Sequence, residues 1–419
     1  MLLEESIWAV FWIITAFLIS KSSIPLIIYY AKLKHLYDDE HDERKIHSGR
    51  VPSVGGVGII LAFLISFSAS PFSEQYPGYG FLIASTIILF AAGLKDDIFM
   101  ISPTKKLLSQ LAAVSLIVFG SGIYFTNMGG VFGITDIPAW AGILLTIITM
   151  VVVINALNLI DGIDTLAGSI SVLASLFFGY WFYISGYYGL AVMTGILAAS
   201  VMGFLWYNYP PAKIFMGDTG SLLIGFYLSI FVVLFVNYAP VADTAVSWQH
   251  AAPILAAAIL VVPLYDTLRV FIMRLLKGSS PFEPDNEHVH HHMLRVQLTH
   301  GKSSFYLCFI TVVIVGSILI LSSYISNTWL LVYLLLVSFL AFPTNYWKRS
   351  VITKFTGKTF KEDALVTATL TATKNISADE QTEKIKTDEN REYNRSIVHL
   401  VDADTKTEEL IGEKLKSFR

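Results

Sequence analysis

Residues 138–164 read PAWAGILLTIITMVVVINALNLIDGID. From Pro138 to Ile154 no side chain is charged or carries an amide, and only Thr146 and Thr149 interrupt the apolar character. A bilayer core of about 30 Å needs roughly 20 such residues in a helix, so the stretch predicts a membrane span. It ends abruptly in Asn155, Asn158, Asp161 and Asp164. Amides and acids at a membrane edge are costly, and four together predict a functional site there.

Working outward, ten further apolar runs of similar length are bounded by polar or turn residues. The eleven expected spans are about 7–30, 53–70, 80–95, 107–125, 138–157, 166–185, 187–207, 220–238, 250–275, 303–324 and 326–345. Composition agrees: 54% of residues are hydrophobic and 15% charged, with a mean hydropathy of +0.61. An ordinary soluble domain carries about 25% charged residues, so 419 residues of this composition exclude a string of water-facing domains. Fourteen of the 29 Lys and Arg lie beyond Tyr346, which divides the chain into a membrane domain, 1–345, and a polar cytosolic extension, 346–419, disordered or weakly structured. Cys308, the single cysteine, cannot form an intramolecular disulfide. The net charge of −3 averages these two unlike regions and says little about partners; no nucleic-acid partner is expected.

The loops give the orientation. Glu4 and Glu5 precede the first run, Lys21 and Lys32 follow near its far end, and no cleavage site of a signal peptide is evident. Loops after odd-numbered spans hold Lys34, Arg44, Lys45, Arg50, Lys95, Lys105, Lys106, Lys213, Lys277, Arg295 and Lys302, whereas loops after even-numbered spans hold no Lys or Arg. The expectation is an all-α integral membrane protein with its N-terminus outside and its C-terminus cytosolic.

Four polar clusters fall on that cytosolic side. Lys95-Asp96-Asp97 closes the third span and Lys105-Lys106 opens the fourth, and adjacent carboxylates there favour a nearby metal or lysine. In the Asn155 to Asp164 cluster the steps of three would spread the side chains around a straight helix, so Gly162 is expected to break it, with the asparagines on one inner face and the aspartates in the turn. Gly217-Asp218-Thr219-Gly220-Ser221 enters the eighth span, where Asp218 is either a helix cap or part of a phosphate seat on free amides. Asp266, Arg269, Arg274 and His288-Val289-His290-His291-His292 offer forked cations and imidazoles for anions, or a metal site without cysteine. Hard oxygen donors beside Lys, Arg and His describe a site for a magnesium-bound diphosphate.

These residues also carry a resemblance. Pro52-Ser53-Val54-Gly55-Gly56, Gly93-Leu94-Lys95-Asp96-Asp97, the Asn155 to Asp164 segment, Phe215-Met216-Gly217-Asp218-Thr219-Gly220-Ser221 and His288-Val289-His290-His291, in this order, resemble the polyprenyl-phosphate N-acetylhexosamine-1-phosphate transferases (glycosyltransferase family 4), in particular the undecaprenyl-phosphate GlcNAc-1-phosphate branch. The resemblance implies a multi-pass enzyme of the bacterial inner membrane with a cytosolic active site. Such an enzyme passes a sugar 1-phosphate from a UDP-N-acetylhexosamine to undecaprenyl phosphate in the first membrane step of an envelope polysaccharide such as lipopolysaccharide, releasing UMP. It further implies Mg2+, with Mn2+ as a substitute, on Asp218 and Asn158. By the same resemblance, Asp96, Asp97 and Lys106 serve the lipid phosphate or the diphosphate. Asn155, Asp161 and Asp164 stand where the nucleotide is held, His288, His290 and His291 form a loop over the diphosphate and sugar, and Lys45, His47, Arg50 and Arg274 are further anion contacts. Met100 stands where the family often has a third acidic or amide residue. A homodimer is compatible with this reading.

Two alternatives follow. Within the family it is the phospho-N-acetylmuramoyl-pentapeptide transferase of peptidoglycan synthesis. From another class it is a cation-coupled transporter, but such sites lie near the midplane on related repeats, whereas here the polar clusters share one face and no repeat is evident.

Overall fold

The computed structural model describes residues 3–34, 36, 51–76, 78–242, 248–277 and 300–342, all within one compact unit, Met1–Thr344. Lys45, His47, Arg50, His288, His290, His291 and the extension 346–419 lie outside the described residues.

The elements are α1 (Leu3–Leu33), α2 (Gly55–Ala69), α3 (Tyr79–Phe99), α4 (Pro103–Ser121), β1 (Asn127–Val131), β2 (Ile134–Asp136), α5 (Ala139–Ile160), α6 (Leu166–Ile184), α7 (Tyr188–Asn208), α8 (Gly217–Tyr238), α9 (Ala252–Ile259), α10 (Val261–Lys277), α11 (His300–Leu321) and α12 (Asn327–Ala341). Helix is present at each of the eleven expected segments. Six helices, α1, α5, α6, α7, α8 and α11, are long and apolar enough to cross a membrane, and α9 with α10 makes a seventh if that bent pair is one span. The protein is therefore a multi-pass, mostly helical membrane protein.

Helix α8 is the axis of the bundle. Every residue from Thr219 to Val236 is buried, as a helix that is apolar on all sides requires. Helices α2, α3, α5, α6 and α9 pack around it. Their close approach depends on missing side chains. A Cβ at Gly56 would lie 2.0 Å from the Gly220 backbone nitrogen, and one at Gly225 would lie 2.8 Å from Ile154 Cα.

The entry to α8 is held by backbone pairing. The amides of Gly55 and Gly56 donate to the carbonyls of Phe215 (2.9 Å) and Met216 (2.7 Å), and the Phe215 amide donates to the Pro52 carbonyl at 2.8 Å. Gly217 then turns with φ +71, where a Cβ would also lie 1.8 Å from the Ser53 carbonyl oxygen. A left-handed residue that close to another strand of chain must be glycine.

Two features differ from the sequence expectation. Segment 250–275 is not one helix: α9 and α10 meet at 64°. Leu260 between them is non-helical (φ −105, ψ 21), and Pro263 lies in the first turn of α10, where it has no amide to return to the preceding turn. The connection 126–137, read as a loop, contains an antiparallel hairpin of β1 and β2. Its two turn residues, Phe132 (φ 53) and Gly133 (φ 75), both have positive φ, which suits a tight hairpin. The Asn327 side-chain amide donates to the carbonyls of Gly129 and His250, fastening the hairpin to α12 and to the turn before α9.

The Gly56–Gly220 contact gives a direct test. Gly56→Ala drives a methyl group into backbone that cannot move aside, and is expected to destabilise the protein by roughly 1–3 kcal/mol or more. Gly80→Ala, where nothing lies within 4 Å of the added carbon, should leave the thermal midpoint of the purified protein unchanged.

Candidate functional site

Helix α5 stops at Ile160, and the residues that follow form the expected turn, with Thr165 at φ +69. The turn is pinned from two sides. The Thr165 amide donates to Asn208 Oδ1 at 2.7 Å, and Asn208 Nδ2 donates to the Ile214 carbonyl at 2.8 Å, tying it to the approach to α8. Asp164 is buried, 3.5 Å from His300 Nδ1, and its carbonyl accepts from Ser304 Oγ at 3.0 Å, tying the turn to α11.

Four side chains from four helices meet at the start of α8. Lys106 Nζ lies 2.5 Å from Asp218 Oδ2, 3.1 Å from Asp96 Oδ2 and 3.2 Å from Asn158 Oδ1. Asn158 Nδ2 donates to Asp218 Oδ1 at 2.5 Å and to Ser221 Oγ at 2.8 Å. Two carboxylates at about 4 Å and an effective dielectric constant of about 20 repel by roughly 4 kcal/mol. Lys106, within ion-pair distance of both, offsets that repulsion. Burial first, then a hydrogen bond that its protonated form donates to Asp218, raises the Asp96 carboxyl above its usual range, while the Ile101 amide, at 2.6 Å, and Lys106 act in the other direction. The Asp218 side chain is 28% exposed and that of Asp96 11%, so both are partly buried.

Asp97 has a different task. Its Oδ1 accepts from the Asp218 amide at 2.6 Å, and its Oδ2 accepts from the Thr219 amide at 3.1 Å and from Thr219 Oγ1 at 2.5 Å. It caps α8 from α3, and the two amides expected to be free for a phosphate are occupied by it. Burial is the main influence on Asp97 and pushes its carboxyl up to about 7, against the pull of these hydrogen bonds.

The structure thus brings together Asp96, Asp97, Lys106, Asn158 and Asp218. Asn155 is one helical turn from Asn158 but pairs reciprocally with the buried Gln110 (2.7 and 3.1 Å). Asp161 is half-buried in the turn, and Arg274 is half-buried on α10. Sequence reasoning missed Gln110, Thr219, Ser221 and His300 as partners. Gln110 carried a usable signal, an amide four residues beyond Lys106 on the same helix. His300 carried none.

The all-oxygen donor set suits a hard cation. Among the described residues no three His, Cys, Asp or Glu side chains form a cage. Two carboxylates and an amide instead match magnesium, which binds through one or two carboxylates, substrate phosphates and retained water.

Comparison with known proteins fixes the family. The sequence profile of glycosyl transferase family 4 matches residues 79–236, which include all five converging residues. The undecaprenyl-phosphate alpha-N-acetylglucosaminyl 1-phosphate transferase of Escherichia coli O157:H7 is 30% identical over 313 residues, 73% of this chain and 82% of that protein. The chain belongs to glycosyl transferase family 4. The Yersinia pestis protein of the same name is 30% identical over 73% of this chain and 82% of its own. A probable undecaprenyl-phosphate N-acetylglucosaminyl 1-phosphate transferase of Bacillus subtilis (strain 168) is 29% identical over 78% and 88%. As a family 4 member the protein is a phosphoglycosyl transferase.

Asp97 and Asp218 should separate experimentally. Asp218→Asn is expected to lower turnover by about a thousandfold or more while the thermal midpoint stays near wild type. Asp97→Ala removes a helix cap and should destabilise by about 1–2 kcal/mol, lowering activity and thermal midpoint together.

Proposed function

We propose that the protein transfers N-acetylhexosamine 1-phosphate, with N-acetylglucosamine as the favoured sugar, from a UDP-sugar to undecaprenyl phosphate and releases UMP. All eleven segments then span the bacterial inner membrane, with the N-terminus outside and the site on the cytosolic face. The observation that carries the reading is the Lys106–Asp218–Asn158–Asp96 cluster, with an apolar cavity running along two of its four helices, α5 and α8, toward the far end of α8. That cavity, of about 320 Å3, is lined by Ile148 and Val152 of α5, Val232 of α8, and Leu260 and Leu264 beside and on α10. Its nearest α5 residue, Val153, is five positions from Asn158, about 8 Å along the helix. A polyprenyl chain in the cavity would bring its phosphate to the polar cluster.

Asp218 with Asn158, and Asp96 beside them, would hold Mg2+ or Mn2+. When bound, the ion supplies neutralising charge to the diphosphate and to the departing UMP. Lys106 brings a cation to the incoming phosphate oxygens and spreads the charge that develops during transfer. Asp97 keeps Asp218 oriented through the first amides of α8. Its oxygens are committed there, so direct attack by the lipid phosphate is favoured over a covalent aspartyl-phosphate on Asp97. With a second pKa near 6, that phosphate needs little help from a base. His288, His290, His291 and Arg274, with Lys45, His47 and Arg50, would complete the anion contacts.

The test is UMP release by the purified full chain with undecaprenyl phosphate, offering UDP-GlcNAc, UDP-GalNAc and UDP-MurNAc-pentapeptide separately. UDP-GlcNAc should give the fastest release, and chelation of divalent ions should abolish it. UMP from the muramoyl-pentapeptide donor alone would move the protein to peptidoglycan synthesis, and UMP from none would reject the transfer.

A further inference from the structure

At the other end of α8, about 30 Å from Asp218, lies a second cavity of about 370 Å3 that the transfer reaction does not use. It is built from the ends of α4, α6 and α8, the start of α7 and the turn after α2. Its lining carries no charged side chain, so it has no means of selecting a phosphate, a carboxylate or a metal ion. It is also too polar for an acyl chain. The hydroxyls of Tyr76 and Ser121 are buried with no hydrogen-bond partner, and Tyr76 is only 5% exposed.

The remaining walls sharpen the chemistry. Tyr187 and Tyr238 stack with ring centroids 4.6 Å apart and planes at 20°, and Tyr187 stacks in turn on Trp181 at 6.1 Å, so the outer ring face of this stack belongs to Tyr238. Asn237 is committed to the scaffold: its Oδ1 accepts from the Thr126 amide and its Nδ2 donates to the Tyr124 carbonyl. Gln75, exposed at the rim, brings an amide with both a donor and an acceptor. A matching ligand presents several neutral hydroxyls to hydroxyl and amide groups and a C–H face to Tyr238. Its size falls at the small end of the range for ligand pockets, suiting one or two sugar rings.

We propose that this cavity is a saccharide-binding site, separate from the transfer site and at the opposite end of the central helix. The saccharide is either free or the head group of a glycolipid. Saturation-transfer NMR on the full chain in nanodiscs tests this and avoids maltoside detergents, whose head group is itself a sugar. The probes are N-acetylglucosamine, hexyl glucoside and, as a control, glycerol.

Both sugars should show transfer above glycerol. The signal should survive excess UMP and the Asp218→Asn substitution. Gln75→Trp, which fills the rim from an exposed position, should abolish it without changing turnover, and Tyr238→Phe with Gln75→Ala should weaken binding by roughly tenfold. Tighter binding of hexyl glucoside assigns a glycolipid head group, and equal binding assigns a free saccharide. A signal no stronger than that of glycerol, one displaced by UMP, or one untouched by Gln75→Trp would overturn the proposal.

Discussion

The carboxylate of Asp97 on the first amides of α8 is the interaction on which the active end of the protein depends. It joins α3 to α8 where the chain must place Asp218, while the Thr86–Tyr227 hydroxyl pair, 2.6 Å apart, joins the same two helices deeper in the bundle. An α-helix leaves its first amides without partners, and a buried helix cannot leave them so. Supplying the cap from another helix satisfies the amides and fixes where α8 begins. The backbone pairing of residues 52–56 with 215–216 and the glycine contacts at Gly56 and Gly93 close the same region from other sides.

With α8 so placed, the polar cluster follows from the scarcity of alternatives. A chain with 15% charged residues cannot surround a substrate diphosphate with many cations. One lysine bridges two aspartates and an asparagine, and each aspartate is held by a different constraint. Asp96 is tied to the Ile101 amide, Asp218 stands at the entry to α8, and Asp97 holds the first amides of α8 and the Thr219 hydroxyl. Three carboxylates close in sequence or space thus have three different roles set by their partners.

Much of this was legible in the sequence. Apolar runs marked where helices lie because a bilayer leaves few other options. Polar residues in those runs marked the site because burying them without purpose is costly. The partnerships were less legible. Nothing local distinguishes Asp97 as a cap from Asp96 as a lysine partner, since the difference lies in amides 121 and 122 positions away. Asn155 looked equivalent to Asn158, yet its amide is taken by Gln110, a pairing set by how α4 crosses α5. The α9–α10 bend had a local cause in Pro263, but hydropathy alone reads straight through a proline.

The central claim is that Asp218 and Asn158 hold the divalent ion in the cluster that Asp97 positions. Mn2+ electron paramagnetic resonance on the purified protein with UDP-GlcNAc tests this most directly. The account predicts one bound Mn2+ per chain, lost in Asp218→Asn and retained with weaker affinity in Asp97→Asn. Undiminished Mn2+ binding by Asp218→Asn would contradict it.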